Sequence, residues 1–497
     1  MNGNVTADTL AQVKDALSHA TPEVLSKAIT TSTGLVAYDL QPSAKNLYPA
    51  ATPIRNVLPR VGGGTGTATN WRQVNAIIGS GWDAMGWVPE GQRSGRMSYN
   101  TSTRSASFAT IGEEDSVTFE AVSAAQGFED IQATATMRLL QKMMLKEENA
   151  FLGGNGSMQL GTPTTPSLSA AGTGATLPAA TYSVIVVALT YEGYRNSSLA
   201  GGVATSKSIT GADGASFSLS GGSSAASANA SQAVTLGQSL SASVTAVVGA
   251  VGYAWYVGIA GAEKLQAITT INSVAFSAPL ATGSQAATAI TADNSANPGL
   301  AYDGLLTAAL KAGSGAYVNY LATGTAGTGT PLTASGRGSV NEIDLMLQKM
   351  WDQYEVSPTV LYVNSQEQRS ITNKVLSSAS GPLLRYTSDG QDPFAIIANG
   401  VVEYYYNPFA LDGGYKIPVK IHPFVPPGTI VGWSENLPAQ YQSSNVPNVA
   451  EVKTRRDYYR MDWPMRTRSY EFGVYAEEVL AIYAPFAMGV IANIANG

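Results

Sequence analysis

The chain has 497 residues, of which 13% are charged, with a net charge of −6 and no cysteine. This length can hold two to four domains with sizeable cores. The acidic balance argues against a dedicated nucleic-acid binder, and the missing cysteines exclude disulfides, thiolate metal sites and a cysteine nucleophile, leaving the redox compartment unreadable.

In chain order, residues 1–47 contain two short helix candidates, 6–18 and 22–29, parted by Thr21-Pro22. They lack a core-sized apolar set and are expected to form an arm. The opening has neither the basic region nor the apolar region of a signal peptide. Residues 81–100, GWDAMGWVPEGQRSGRMSYN, place Trp82, Met85 and Trp87 among four glycines with Pro89 nearby. Large apolar side chains on so glycine-rich a backbone do not suit a compact core.

From Val117 to Phe151 there is no proline and one glycine, Gly127, while Phe119, Val122, Phe128, Ile131, Ala135, Leu139, Met143 and Phe151 recur at helical spacing. The pattern predicts one helix, about 50 Å long at 1.5 Å per residue. The acids Glu113, Glu114 and Asp115 would then favour its N-terminal dipole. FLGGNGS (151–157) is expected to stop it through a left-handed glycine.

Residues 163–294 carry only seven charged side chains and are saturated with Ala, Ser, Thr and Gly. Short β-branched and aromatic runs, YSVIVVAL (182–189), YAWYVGI (253–259) and LQAITTI (265–271), predict an all-β sandwich. SGGSSAASANASQ (220–232) reads as a flexible linker within it. The uncharged stretch 244–262 has the length of a membrane span, but its four glycines and its alternation favour two strands and a turn. The apolar tail 479–494 is too short for a span and is broken by Pro485.

Beyond the sandwich, SVNEIDLMLQKMWDQY (339–354) predicts a helix opened by a Ser339/Glu342 capping box, with Ile343, Met346, Leu347 and Met350 on its buried face. TVLYVN (359–364) reads as a buried strand and SQEQRSITNKVL (365–376) as a second helix. VVEYYY (401–406), KIPVKI (416–421), GTIVGW (428–433) and 468–483 read as further strands. The overall class is α+β.

Catalytic signals are thin. The only histidines are His19 and His422, each expected to be a surface or structural residue. The pair Glu477-Glu478 and the SDGQDP loop (388–393) fall short of an acid/base or calcium constellation. GGGTGT (62–67) and GTAGTGT (324–330) lack the Lys-Ser/Thr of a phosphate loop. No metal, cofactor or enzymatic activity is expected. A basic cluster, Lys453, Arg455, Arg456, Arg460, Arg466 and Arg468, lies within sixteen residues and is interleaved with Tyr458, Tyr459, Trp463, Asp457 and Asp462. Ion pairs with neighbouring subunits are favoured there over loose contact with DNA.

In combination, these segments resemble the major capsid proteins of tailed bacteriophages of the Hong Kong 97 type. GWVPEGQ (86–92) resembles the family's Trp-Val-x-Glu-Gly segment in its extended E-loop. Residues 114–157 resemble the spine helix and its Leu-x-Gly-x-Gly terminus, and NPGLAYDGLL (297–306) the Pro-x-Gly-Leu segment that follows it. SPTVLYVN (357–364), 416–433 and 470–494 resemble the later strands and the closing segment. The resemblance spans about 48–162 and 295–497, interrupted once by 163–294, which is itself similar to an immunoglobulin-like or fibronectin type III-like domain.

The resemblance implies an N-terminal arm over 1–47, then an E-loop, spine helix and part of a P-domain over 48–162. It also implies an inserted immunoglobulin-like domain over 163–294 and an A-domain over 295–497 with P-domain strands near 450–475. It implies self-assembly as hexamers and pentamers into an icosahedral head around double-stranded DNA, in a virion assembled in the host cytoplasm. Portal and scaffolding proteins, a decoration protein and loosely held DNA are the implied partners, with no membrane. Trp82, Met85, Trp87, Glu90, Arg93 and Arg96 become the expected assembly contacts of the E-loop, which should be disordered in an isolated monomer. No lysine occurs between Lys45 and Lys142, so a Lys–Asn cross-link from this loop is not expected. Because the sequence opens on Met1 with only a short arm, a separate scaffold is expected rather than a removed leader. The alternatives are an encapsulin-type compartment, distinguished by protein cargo, and a surface adhesin using the sandwich, which the missing signal peptide disfavours.

Overall fold

The computed structural model describes residues 11, 14–15, 49–82, 85–126, 129–211, 213–336, 338–378, 402–410, 413–438, 441 and 448–495. Apart from Ala11, Lys14 and Asp15, which are helical, the expected arm lies outside these residues, as do His19, Phe128 and the SDGQDP loop. Backbone contacts divide the chain into two units, Met1–Pro49 with Glu120–Ile131, and Ala50–Phe119 with Gln132–Gly497.

The second unit opens with a short helix, α1 (Pro53–Val57), and a two-residue strand, β1 (Arg60–Val61). Two long strands follow, β2 (Ala68–Ile78) and β3 (Ser98–Ser107), which pair only with each other. β4 (Ala109–Thr118) comes next. Between Phe119 and Gly153 the chain forms two helices, α2 (Phe119–Ala125) and α3 (Ile131–Gly153), where the apolar spacing predicts one. The acids Glu113, Glu114 and Asp115 therefore sit in a strand. β4 is held by ten residue pairings to a later strand, β20 (Ser469–Ile482), and that tertiary pairing overrides local helix preference.

The glycines ending α3 also act differently from expectation. None of Gly153, Gly154 and Gly156 has a positive φ. A Cβ on Gly156 would lie 2.2 Å from the Ala301 carbonyl oxygen, and one on Gly154 would lie 2.8 Å from that of Tyr302. They are small because two backbones meet there.

The next segment is all β: β5 (Ser167–Ala171), β6 (Ala180–Leu189), a one-turn helix α4 (Tyr191–Asn196), β7 (Ser206–Thr210), β8 (Ser216–Ser220), β9 (Ala230–Val234), β10 (Ser239–Ser243), β11 (Gly252–Gly258), β12 (Lys264–Thr269) and β13 (Ser273–Phe276). Two antiparallel sheets, ordered β13-β10-β5 and β12-β11-β6-β9, share one apolar cluster around Val184, Val186, Leu240 and Trp255. The opposite face of the four-stranded sheet is covered as well, by a second cluster around Val187, Leu189 and Tyr256. Burial on both faces explains why β6 reads as a continuous apolar run rather than an alternating one.

The serine-rich stretch read as a linker is ordered. Ser223 and Ser224 are fully buried, and the hydroxyls of Ser224 and Ser227 accept hydrogen bonds from Ala188 N (2.9 Å) and Val186 N (3.0 Å) of β6. Small hydroxyl side chains stand in for ladder carbonyls there. The two ends of the segment lie side by side, since Leu160 N donates to Ser295 Oγ (2.9 Å) and Gly161 N to Asp293 (2.8 Å). Among the described residues no helix is long and apolar enough to cross a membrane.

The remainder comprises α5 (Leu305–Leu310), β14 (Tyr317–Tyr320), α6 (Asn341–Tyr354), β15 (Val360–Val363), α7 (Ser365–Ser378), β16 (Tyr404–Asn407), β17 (Tyr415–Ile421), β18 (Ile430–Trp433), β19 (Ala450–Asp462), β20 (Ser469–Ile482) and β21 (Met488–Ala492). A six-stranded mixed sheet runs β14-β21-β18-β15-β17-β16. The predicted face of α6 is buried: Ile343, Met346, Leu347 and Met350 pack with Leu361 and Ile430. Its N-cap is Val340 with no side-chain capping bond, so the expected box does not form. Ser339 instead donates to Asp344 and Glu342 accepts from Thr333 N. A four-stranded sheet, β1-β19-β20-β4, carries the root of the β2–β3 pair.

Candidate assembly surface

β2 and β3 form a two-stranded ribbon of eleven and ten residues, about 35 Å long at 3.3 Å per residue. Its root is anchored, with Trp71 packing edge-on against Tyr483 at 5.2 Å. Outward from the root the alternation of buried and exposed residues fades, and both faces of the ribbon are open. Val74, Ile77, Ile78 and Tyr99 are exposed along it, and the tip presents Trp82 (83% exposed), Met85 (61%) and Trp87 (91%). The Met85 N–H donates to the Trp82 carbonyl at 2.8 Å. Glu90, Arg93 and Arg96 follow, all exposed. Fully burying a tryptophan removes roughly 150–250 Å² from water, about 4–6 kcal/mol at 25 cal/mol per Å². Large exposed apolar side chains concentrated on one element are unusual for a monomeric surface.

The basic cluster runs along β19 from Lys453 and through the turn into β20. Several of its cations have carboxylate partners in the same chain. Lys453 meets Glu451 at 3.0 Å, Arg455 meets Glu477 at 2.5 Å and Arg460 meets Asp462 at 2.8 Å. Arg456 lies over the Tyr459 ring. Strand geometry thus places an acid of the same chain within reach of Lys453, Arg455 and Arg460. The Arg455 hydrogen bond holds the Glu477 carboxyl below its usual range.

Glu477 and its neighbour Glu478 point to opposite faces of β20, so they cannot act as an acid/base pair. Glu478 faces a buried charged node at the ribbon's base, which sequence reasoning missed. Two acids of α3, Glu147 and Glu148, are fully buried. Glu147 accepts from Arg55 Nε (2.6 Å) and Arg60 Nη1 (3.4 Å). Arg60 Nη2 also donates to Asp457 (2.6 Å) and Glu478 (3.0 Å), and the Tyr302 hydroxyl donates to Glu478 (2.9 Å). Both guanidiniums lie over the Tyr458 ring.

Glu148 accepts the N–H groups of Ile54 and Arg55 at 2.9 and 2.8 Å, and pairs with His422 Nε2 at 2.6 Å. His422 Nδ1 accepts from Phe424 N, which leaves the ring proton on Nε2. His422 is thus a structural residue in the interior. The signal that could have found this node is Glu147 itself, which falls at i+4 from Met143 and i−4 from Phe151, within the apolar stripe. Among the described residues no three His, Asp or Glu side chains group as metal ligands.

No known protein family matches this sequence, and no curated protein does. Structural likenesses exist at low identity. The chain is similar to a subunit of the capsid of a native GTA particle (9% identity, covering 94% of this chain and 100% of that one, TM-score 0.42). It is also similar to the capsid of cyanophage A-1(L) (11%, 94% and 99%, TM-score 0.43) and to the SrpI encapsulin of Synechococcus elongatus (8%, 94% and 96%, TM-score 0.39). All three TM-scores lie below 0.5, so the functional reading stands on the chain's own residues and geometry.

Proposed function

We propose that the chain is the repeating subunit of a closed shell, a tailed-bacteriophage major capsid protein of the Hong Kong 97 type. The observation that carries this reading is the β2–β3 ribbon, whose apolar tip finds no burial in its own chain. A two-stranded ribbon is marginal by itself, so its surface needs a partner, and a second copy of the chain supplies one at every position of a shell. The ribbon takes the part of the E-loop and α3 that of the spine helix. The β1-β19-β20-β4 sheet takes that of the P-domain, and the six-stranded sheet that of the A-domain.

Residues 163–294 then decorate this frame as an immunoglobulin-like insert. Strands β5, β6, β9, β10, β11 and β12 follow the neighbour pattern of strands B, C, C′, E, F and G, with β13 beside E where D stands in that fold. Tyr253, at the start of β11, accepts a hydrogen bond from Val247 N, six residues upstream, in the manner of a tyrosine corner. The side-by-side ends of the segment suit an insertion at one point.

In this reading the subunits assemble as hexamers and pentamers around double-stranded DNA, with portal and scaffolding proteins and a decoration protein as partners. The product is a virion head assembled in the host cytoplasm. The basic cluster, with its interleaved acids, serves contacts between subunits and touches DNA only loosely. Electron microscopy of the chain, expressed alone and with a candidate scaffold, tests the proposal. Closed shells or rings of five and six subunits are the expected result. A chain that remains monomeric under both conditions would overturn it.

A further inference from the structure

The two faces of the ribbon differ, and the difference turns on one residue. The register between β2 and β3 slips between Val74 and Ala76, which leaves Asn75 as an extra residue in β2. Across the slip Val74 stands opposite Thr101, Ala76 opposite Asn100 and Ile77 opposite Tyr99. Side chains alternate between the faces of a strand, so Tyr99, Thr101 and Thr103 share one face of β3. Their partners Ile77, Val74 and Arg72 lie on that face too. In an unbroken ladder Val74 and Ile77, three residues apart, would point to opposite sides; the bulge brings them together. At the root the second face is turned toward the body of the chain, where Trp71, Gln73, Ser102 and Ala106 are partly buried. Its polar groups are satisfied across the strands, since Arg104 Nε donates to Gln73 Oε1 (3.3 Å) and Asn75 Nδ2 to Ser102 Oγ (3.2 Å). The first face looks away from the body, with Val74, Ile77 and Tyr99 exposed on it; Ile78, beside the tip, lies on the second.

We propose that the bulge at Asn75 makes the ribbon one-sided: the face of Arg72, Val74, Ile77, Tyr99 and Thr101 seats on a second copy of the chain, and the opposite face stays in solvent. The inference rests on the shell reading and adds to it which face makes the contact and what sets that face. Charge selects a second copy as the occupant. Residues 68–107 hold Arg72, Arg93, Arg96 and Arg104 against two acids, Asp83 and Glu90, in a chain whose net charge is −6. The ribbon is thus cationic and the rest of the chain acidic, so copies attract ribbon to body. Area points the same way. A face about 35 Å long and two strands, about 10 Å, wide offers about 350 Å², less than half of the roughly 800 Å² per partner found in stable complexes. A lone partner would be held weakly, whereas each copy in a closed ring gives one ribbon and receives another.

The chain has no cysteine, so single-cysteine variants of the full chain report on each face without background. Maleimide modification rates of S98C, N100C, T101C and T103C, all at exposed positions, are compared before and after assembly. T101C and T103C should slow tenfold or more on assembly, and S98C and N100C by less than twofold. Slowing on both faces, on neither, or on the second alone would overturn the one-sidedness and leave the shell reading standing; a chain that never assembles would overturn both. Slowing of T101C and T103C when double-stranded DNA is added to the unassembled chain, with none on assembly, would assign the face to nucleic acid and overturn the proposal. A serine inserted between Asn100 and Thr101 gives Asn75 a partner and restores the regular ladder, which parts Ile77 and Tyr99 from Val74 and Thr101. The concentration needed for assembly should then rise tenfold or more, and an unchanged concentration would count equally against the proposal.

Discussion

The two ends of the ribbon invert the usual rule for a protein surface in opposite ways. At the tip, large apolar side chains stand in solvent; at the root, charged side chains are buried. The tip has spare hydrophobic free energy that only another surface can realise. The root spends free energy desolvating its ions and regains it through geometry, since breaking one partner of such a set strands the others. The comparison teaches that the ribbon has a fixed base and an unfinished end: its root is held within the chain, while its apolar tip is left exposed by the chain.

Substitutions at either end should separate these roles. The largest effect is expected at the tip. Replacing Trp82 and Trp87 together by alanine removes about 4–6 kcal/mol of potential burial per residue before ordering costs. The concentration needed for assembly should rise at least a hundredfold in sedimentation, while the urea midpoint of the unassembled chain stays put. A shifted midpoint with normal assembly would reverse the assignment. Next comes the root. Arg60→Ala leaves Glu147, Asp457 and Glu478 without their shared cation and should cost about 3–5 kcal/mol in urea unfolding. A cost under about 1 kcal/mol would mean that the node does not anchor the ribbon.

Protons give a third, smaller handle. Burial pushes the carboxyls of Glu192 and Glu367 up to about 7 and, with the neighbouring Glu147 charge, that of Glu478 up to about 8. A carboxyl raised in the folded state contributes stability that is fully present below its unfolded value, near 4.5, and lost as pH rises through 7 to 8. Glu477, lowered by Arg455, acts in the opposite sense and loses its contribution only as pH falls below the usual carboxylate range. Stability should therefore peak in weak acid and decline toward pH 9, a slope that Glu367→Gln partly flattens. A urea midpoint that climbs from pH 5.5 to pH 9 would contradict this.

Smaller still, Ser224→Ala should cost about 1 kcal/mol. Its effect should appear as faster amide exchange in β6, without altering assembly. Arg455→Ala, an exposed pair, should cost about 0–1 kcal/mol; a larger loss would show the basic cluster to be structural.

Much of the fold was legible where one face of an element is buried by near neighbours. The α6 stripe of Ile343, Met346, Leu347 and Met350, the buried strand at 360–363 and the all-β character of 163–294 follow from side-chain period. The failures share a physical cause, which is partners distant in sequence. Helical spacing at 119–151 could not reveal that β4 is held by β20 up to Thr118, nor that the chain re-enters a helix only at Ile131. The serines at 223–227 read as linker because their partners, Val186 and Ala188, lie some forty residues away.

The candidate site divides in the same manner. Trp82, Met85 and Trp87 were legible as misfits in a glycine-rich run. Arg55, Arg60, Glu147 and Glu478 were not, since their meaning lies in contacts spanning up to 418 residues of sequence.

The most direct test of the central account is a photo-crosslinking residue placed at Trp87, in assemblies grown from an equal mixture of isotopically heavy and light chains. If the tip is buried on a neighbour, mass spectrometry will find heavy–light cross-linked peptides joining residue 87 to one consistent surface. Cross-links confined to chains of a single label, or none at all in intact assemblies, would show that the ribbon's tip is not what holds copies together.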